Sequence, residues 1–285
     1  AYYLAKSHKL SNIVLIDRNN PMSLTSAASG ENYRNWWPQP EMFAFINRSI
    51  DLMEEIAGAT KNRINMTRRG YALATRQKNI DEFINELKAG MDGLDERLLR
   101  HRAKQNCNSY LKSITNNWKT TPNGVDVIQN RQLIRTVFPN YAEDVETVIH
   151  IRRGGDIDSQ QLGQIMIEYL REVGVEFKFG DVISIQKSNG YEVEYKAVDH
   201  VQTIHSDIIV NAAGPFAKDV ANMLGVKLDL FNIYQQKIAF EDNQRVIPRD
   251  LPFSIDLDPQ ILDWSSDERD LLSEDEETSW LLDCM

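Results

Sequence analysis

A basic surplus, a cysteine framework, clustered histidines and a membrane-spanning run are all missing from this 285-residue chain. Its formal net charge is −10, which argues against a general nucleic-acid surface, since such surfaces are basic. The two cysteines, Cys107 and Cys284, lie far apart. They offer neither a metal-ligand spacing nor a disulfide framework, and they fit a reducing, cytoplasmic compartment. The five histidines are scattered without ligand-like spacing, so no metal site is expected. No apolar run approaches the roughly 20 residues that cross a bilayer, and no secretory signal pattern is visible. What remains is 42% hydrophobic residues and a mean hydropathy of −0.45, the balance of a globular chain with one large or two modest domains.

The most informative stretch present is Asp207–Gly225, DIIVNAAGPFAKDVANMLG. Ile208, Ile209 and Val210 form an unbroken apolar run, the pattern of a strand covered on both faces. Ala212, Ala213 and Gly214 then remove side-chain bulk where a backbone can approach a ligand. Pro215 suits a first helical turn, and Gly225 follows Leu224 as a stop. A strand feeding a helix this way offers free N–H groups to an anion such as phosphate, or is simply a tightly packed corner. A second unit of the same kind lies near the start, where SNIVLID at Ser11–Asp17 is an apolar strand closing on an acid. Ile13–Ile16 and Ile208–Val210 are expected in one sheet. In a dinucleotide-binding βαβ unit the strand-end acid takes ribose hydroxyls about 20 residues after a glycine-rich turn. Counting back from Asp17 puts that turn upstream of Ala1, and the chain lacks an initiator Met.

Four stretches, taken in order, resemble the FAD-dependent oxidoreductase family of D-amino-acid, glycine and sarcosine oxidases. They are AYYLAK (Ala1–Lys6), VLIDR (Val14–Arg18), TSAASG (Thr25–Gly30), and the segment from Gly154 through VNAAGPFA (Val210–Ala217). The resemblance implies FAD as cofactor, with Asp17 and Arg18 at the ribose end. Thr25, Ser26, Ser29 and Gly30 become flavin-loop contacts, Val182 an adenine contact through its backbone, and Gly214 part of the second cofactor turn. Read without the resemblance, Pro21–Gly30 is a polar connecting loop, and a backbone contact at Val182 places little demand on the side chain. In ENYRNWWPQP, Glu31–Pro40, Arg34 is the candidate basic residue at the flavin or substrate edge. A guanidinium there either stabilises reduced flavin or pairs with a substrate carboxylate, or else it stacks on a neighbouring Trp for structural reasons.

Periodicity fills in the rest. Met42, Ile46, Ile50, Met53 and Ile56 make Glu41–Ala57 an amphipathic helix, and Asp158 caps a second one that runs to Gly174. Strands are expected at Thr67–Thr75, Val175–Phe179 and Val182–Ile185, with a meander through Tyr191, Val193 and Tyr195. Ile80–Lys88 and Leu94–Arg102 read as helices; Arg97, Arg100, His101, Arg102 and Lys104 read as a solvated basic face. Ile233–Phe240 reads as a second visit of the chain to the substrate domain's sheet. The acidic tail, Asp267 to Glu277, reads as solvated helix and loop anchored by Leu271, Leu272, Trp280 and Leu281.

The expected fold is α/β, a Rossmann-like FAD-binding domain (1–58 and 150–225) interleaved with an α+β substrate domain built on an antiparallel sheet (59–149 and 226–285). The resemblance implies oxidation of the C–N bond of an amino acid or secondary amine to an imine, with dioxygen or another carrier reoxidising the flavin. A 2-hydroxy-acid dehydrogenase of the same fold and a non-catalytic assembly protein stay open. No residue is singled out as catalytic. Relatives continue past the Phe240 region with more substrate-domain strands and a glycine-containing flavin loop. Here the last glycine is Gly225, so the chain as given is expected not to turn over substrate.

Overall fold

The computed structural model describes residues 1–91, 96–102, 110–113, 118–234, 237–259, 264–274, 279 and 282. In chain order the elements are α1 (Tyr2–His8), β1 (Val14–Asp17), α2 (Thr25–Ala28), β2 (Asn32–Arg34), α3 (Pro40–Ala59), β3 (Tyr71–Thr75) and α4 (Asp81–Gly90). A 3-10 turn (Glu96–Leu98) leads into β4 (Leu99–Arg102), then β5 (Val125–Ile128), α5 (Arg131–Val137), β6 (Thr147–Ile151), β7 (Gly154–Asp156), α6 (Ser159–Glu172) and β8 (Glu176–Phe179). The remainder comprises β9 (Asp181–Ser188), β10 (Gly190–Lys196), β11 (Val201–Ser206), a 3-10 turn at Gly214–Phe216, α7 (Ala217–Met223), β12 (Phe253–Asp256) and α8 (Ser266–Glu274).

The periodic helices form where their patterns place them. In α3, Ile50, Ile56 and Ala57 are buried, with Ile46 and Met53 packed beside them. Met42, at the first turn, stays exposed. Asp158 caps α6, its Oδ1 accepting the Gln161 N–H at 2.9 Å. The helix stops at Gly174, whose φ of +80° a side chain would strain. Helix α1 packs on α6 through Tyr2 and Tyr169, edge to face at 5.2 Å. Below them β1 and β8 pair in parallel, Val14 opposite Glu176 and Asp17 opposite Phe179. Strands β9, β10 and β11 form the expected antiparallel meander.

The largest sheet has the order β12–β3–β6–β5–β4. It is antiparallel at its centre, where β6 pairs with β3 and β5, but β12 runs parallel to β3 and β4 parallel to β5. The sheet is therefore mixed, not wholly antiparallel. One face carries Tyr71, Leu73, Val125, Val127, Ile149 and Ile151 against Ile84, Leu87 and Met91 at α4. The other carries Ala72, Ala74, Ile128 and Val148 against Ile134 and Phe138. Each such large side chain contributes about 1.5–3 kcal/mol when fully buried.

Three expectations fail. Ile208–Val210 is not a strand: β1 has β8 as its ladder partner, and Ile208 and Val210 are 75% and 66% exposed. The Ser206 hydroxyl takes over the polar groups of Ile208, donating to its carbonyl at 2.8 Å. Leu94–Arg102 is not an α-helix in its described part: after the 3-10 turn at Glu96–Leu98 it runs as β4, with Arg100 and Arg102 alternating toward Asp126 on the adjoining strand. Phe231–Tyr234 and 237–240 form no strand, and Ile233 and Phe240 are largely exposed. The sheet edge beside β3 is filled by β12, with Ile255 and Leu257 packed on the core. Cys107, Cys284, Leu94, Lys104, Gln236, Asp275–Glu277, Trp280 and Leu281 lie outside the described residues.

Candidate functional site

Two separate groups of the sequence-selected residues take shape. The first gathers where β1 ends. Asp17 closes β1, and its backbone carbonyl accepts the Gly180 N–H at 3.0 Å, which ties it to the turn into β9. Arg18 reaches from there to Asp181 at 3.7 Å and lies over the Phe216 ring at 4.1 Å. The guanidinium thus links β1, the start of β9 where Val182 pairs with Tyr195, and the Gly214–Phe216 turn. Asp17 accepts from its own loop, the Asn19 N–H at 2.9 Å, and no cation pairs with its carboxylate among the described residues. A Cβ added at Gly214, whose φ is +57°, would meet no atom within 4 Å. An acceptor carboxylate, a small open turn and an extended backbone around one strand end fit the adenosine half of FAD. Asp181 and Phe216 are the members of this group that sequence reading passes over. Their signal is long-range, since nothing local couples them to Arg18.

The Thr25–Gly30 loop lies elsewhere, on the N-terminal end of α6. The Ser159 hydroxyl donates to Glu31 Oε1 at 2.5 Å and lies 3.2 Å from the Ser26 carbonyl. The Ser29 hydroxyl accepts the Glu31 N–H at 2.9 Å, and Lys237 donates to the Ser29 carbonyl at 2.8 Å. Gly163 admits the chain just before this loop: a Cβ there would stand 2.3 Å from Met22 Cγ. Thr25 and Gly30 are exposed. Ser29 is thus partly engaged in holding the loop, while Thr25 is exposed.

The second group forms where the β2–β7 ladder meets the five-stranded sheet. Arg34 pairs with Gly154 across that ladder, and the Gly70 N–H donates to the Gly154 carbonyl at 2.8 Å, carrying the chain into β3. The Arg34 guanidinium lies over Trp37 at 4.9 Å and over Tyr71 at 5.2 Å. Burial raises the Tyr71 hydroxyl above its usual pKa, against the opposing charge and hydrogen bond of Arg34. Around this point other half-buried or buried arginines are matched with carboxylates. Arg68 pairs with Glu54 at 3.4 Å, Arg153 with Glu54 at 3.1 Å and Asp51 at 2.5 Å, and Arg69 with Asp156. Arg34 is half-buried and pairs with no carboxylate among the described residues. Tyr71 does not stand out in the sequence, because TRRGYALAT reads as ordinary strand.

Buried inside the five-stranded sheet is a polar network that sequence reading does not single out. Asp126, 2% exposed, accepts from Arg100 at 2.9 Å and Arg102 at 3.0 Å, with Arg152 at 3.6 Å. His150 Nδ1 lies 2.9 Å from both Arg152 Nη1 and the Tyr110 hydroxyl. A guanidinium only donates, so Nδ1 is the acceptor and Nε2 carries the proton to the Arg69 carbonyl at 2.8 Å. A charged residue inside the apolar run VDVI is the signal that marks such a network. Among the described residues no group of His, Cys, Asp and Glu could hold a metal ion, and no helix is long and apolar enough to cross a membrane.

With Asp17 replaced by Ala, FAD is expected to bind more weakly by about 1–3 kcal/mol, the loss of a charge-assisted hydrogen bond. Equilibrium dialysis measures this, and unchanged affinity removes Asp17 from the cofactor site.

Known proteins place this geometry in context. No curated protein matches the sequence. Among solved structures, glycine oxidase from Geobacillus kaustophilus superposes with a TM-score of 0.58 at 14% identity, over 80% of this chain and 55% of that one. Iminodiacetate oxidase from Chelativorans sp. BNC1 gives 0.56 at 19% identity, over 79% and 54%. L-proline dehydrogenase from P. horikoshii gives 0.57 at 16% identity, over 79% and 52%. The chain thus spans about half the length of these structures, and at such identities the likeness is one of fold. A family model described as FAD dependent oxidoreductase matches residues 1–262, so the chain belongs to the FAD-dependent oxidoreductase family.

Proposed function

We propose that the protein oxidises the C–N bond of an amino acid or secondary amine to an imine, which water then hydrolyses to a carbonyl compound and an amine. The observation that carries this reading is Arg34, a half-buried guanidinium stacked on two rings and left without a carboxylate among the described residues. A cation in that state is a receptor for an anion from outside the chain, and its planar fork matches a carboxylate. The fold-level neighbours support the choice of class, since glycine, iminodiacetate and L-proline each join an amine to a carboxylate.

In this reading residues 1–58 and 150–225 form the FAD-binding domain, and 59–149 with 226–285 the substrate domain. When bound, FAD supplies the chemistry by accepting two electrons from the substrate. Asp17 accepts the ribose hydroxyls, Val182 offers its backbone to the adenine, and the open turn at Gly214 lets the cofactor approach. Arg18, already engaged with Asp181 and Phe216, braces that end of the site. The Thr25 and Ser26 hydroxyls, with Ser29 and Gly30 shaping the loop, face the phosphate and flavin side. Arg34 binds the substrate carboxylate and so fixes which bond of the substrate is presented.

The test supplies the FAD-loaded protein, including any residues that flank 1–285, with an α-amino acid, its N-methyl derivative and the matching 2-hydroxy acid, and assays the oxo acid formed together with the ammonium or methylamine released. Including the flanking residues keeps the expected inactivity of this stretch by itself from deciding the outcome. Release from the two amines and none from the hydroxy acid is expected. Oxo acid formed from the hydroxy acid alone would move the protein to the hydroxy-acid dehydrogenases.

A further inference from the structure

Arg34 makes no ion pair among the described residues, so other contacts fix its position. Its guanidinium lies over the ring of Trp37, three residues on, and over the ring of Tyr71 on β3. Tyr71 is 4% exposed and is backed by Phe253 of β12, ring centroids 4.8 Å apart. Space for this meeting exists because residue 154 is glycine. A Cβ there would stand 3.2 Å from the Tyr71 ring, 3.0 Å from the Tyr33 carbonyl and 3.4 Å from Arg34 Cα. Stacking engages the faces of a guanidinium, whereas its N–H donors lie in the plane and stay available. The Tyr71 hydroxyl takes one Arg34 hydrogen bond, and the two rings set the plane of the guanidinium while leaving its other N–H donors to an incoming anion, which a bidentate carboxylate partner would not.

We propose that Trp37 and Tyr71 are positioning residues, an aromatic clamp that presents the Arg34 N–H edge to a substrate carboxylate. This rests on the reading of Arg34 given above and adds the source of its orientation. It also puts one jaw on the β2–α3 connection and the other on the five-stranded sheet, so substrate recognition depends on how those two parts meet. A flexible guanidinium would have to be ordered when the carboxylate binds; a clamped one is ordered beforehand.

The test follows the Arg34 Nε–H resonance in the full chain labelled with 15N-arginine, assigned through Arg34→Lys. Acetate is the probe, with ethylammonium chloride at equal ionic strength as control. In the wild-type chain the resonance is expected to be displaced by ring currents, and acetate is expected to shift it further while ethylammonium does not. Trp37→Leu is expected to weaken acetate binding about tenfold and to remove the ring-current displacement, in keeping with a partly desolvated cation–π contact. Tyr71→Leu should do the same, and Tyr71→Phe, which keeps the ring and loses only the hydrogen bond of the hydroxyl to Arg34, should stay within about threefold of wild type. Trp37 is half-buried, so its variant carries the test even where Tyr71→Leu fails to fold. Acetate binding within about threefold of wild type in Trp37→Leu overturns the clamp. No acetate-dependent shift in the wild-type chain instead refutes the carboxylate reading of Arg34 on which the clamp depends.

Discussion

Replacing Asp126 by Ala is expected to cost about 3–5 kcal/mol of folding stability, the range for removing one partner of a buried ion pair. The side chain is 3% exposed and is approached by three arginines, at 2.9 Å, 3.0 Å and 3.6 Å. Burial alone would push its carboxyl pKa up, but Arg100, then Arg152 and Arg102, outweigh that and hold it below the usual range. Without it, Arg152, whose side chain is wholly buried, keeps its charge beside a void. Denaturant unfolding measures the loss, and adding Arg152→Met should recover part of it because the stranded charge goes too. A loss below about 1 kcal/mol would show that the arginines find other partners or water.

Acid should weaken the same region, with a sign fixed by His150. The ring is fully buried, and burial followed by the Arg152 charge lowers its pKa from 6.5 to about 3. Arg152, Tyr110 and the Arg69 carbonyl touch it, and Asp126 and Arg100 act on it from the neighbouring strands. Between those two pH values the unfolded chain binds a proton that the folded chain refuses. The contribution of neutral His150 is therefore full above pH 6.5 and is lost as the pH falls toward 3. The slope is about 1.4 kcal/mol per pH unit for one such proton. Asp126, with its depressed folded pKa, adds loss of the same sign below about its ordinary value of 3.8. The other four histidines are exposed, so His150→Gln should flatten the profile between pH 4 and 6. A profile unchanged by that substitution would mean that His150 is already protonated in the fold.

How much of this was legible depends on whether the signal was local. The capped, periodic helix behind Asp158 and the alternating meander at Tyr191–Tyr195 carry their structure within a few residues, and both form as read. Asp17 and Arg18 fall at a strand end, as the apolar run SNIVLID requires, and Val182 lies at the start of β9, second after Asp181. The run Ile208–Val210 misleads because apolar composition states a demand for burial and not a partner that meets it. In Leu99–Arg102 the charges hide a period-2 pattern, since Arg100 and Arg102 both turn to a buried Asp126 that no local rule reveals. Strand β12 escapes notice for the opposite reason: Phe253 and Ile255 are too short a signal until β3 lies beside them. The clamp on Arg34 is half legible. Trp37 sits three residues away in the sequence, but Tyr71 arrives from β3 through the fold.

The central claim is that this FAD-dependent oxidoreductase takes electrons from an amine whose carboxylate is held by Arg34. It is tested most directly by anaerobic reduction of the FAD-loaded protein with an α-amino acid, followed as loss of flavin absorbance in wild type and in Arg34→Met. The account predicts bleaching in wild type, assayed with any residues that flank 1–285 included. In Arg34→Met it predicts retained flavin and a rate at subsaturating amino acid lowered at least about tenfold, as for loss of a charge-assisted pair. Bleaching at the wild-type rate in Arg34→Met, or bleaching of wild type by the 2-hydroxy acid and not by the amino acid, would contradict it.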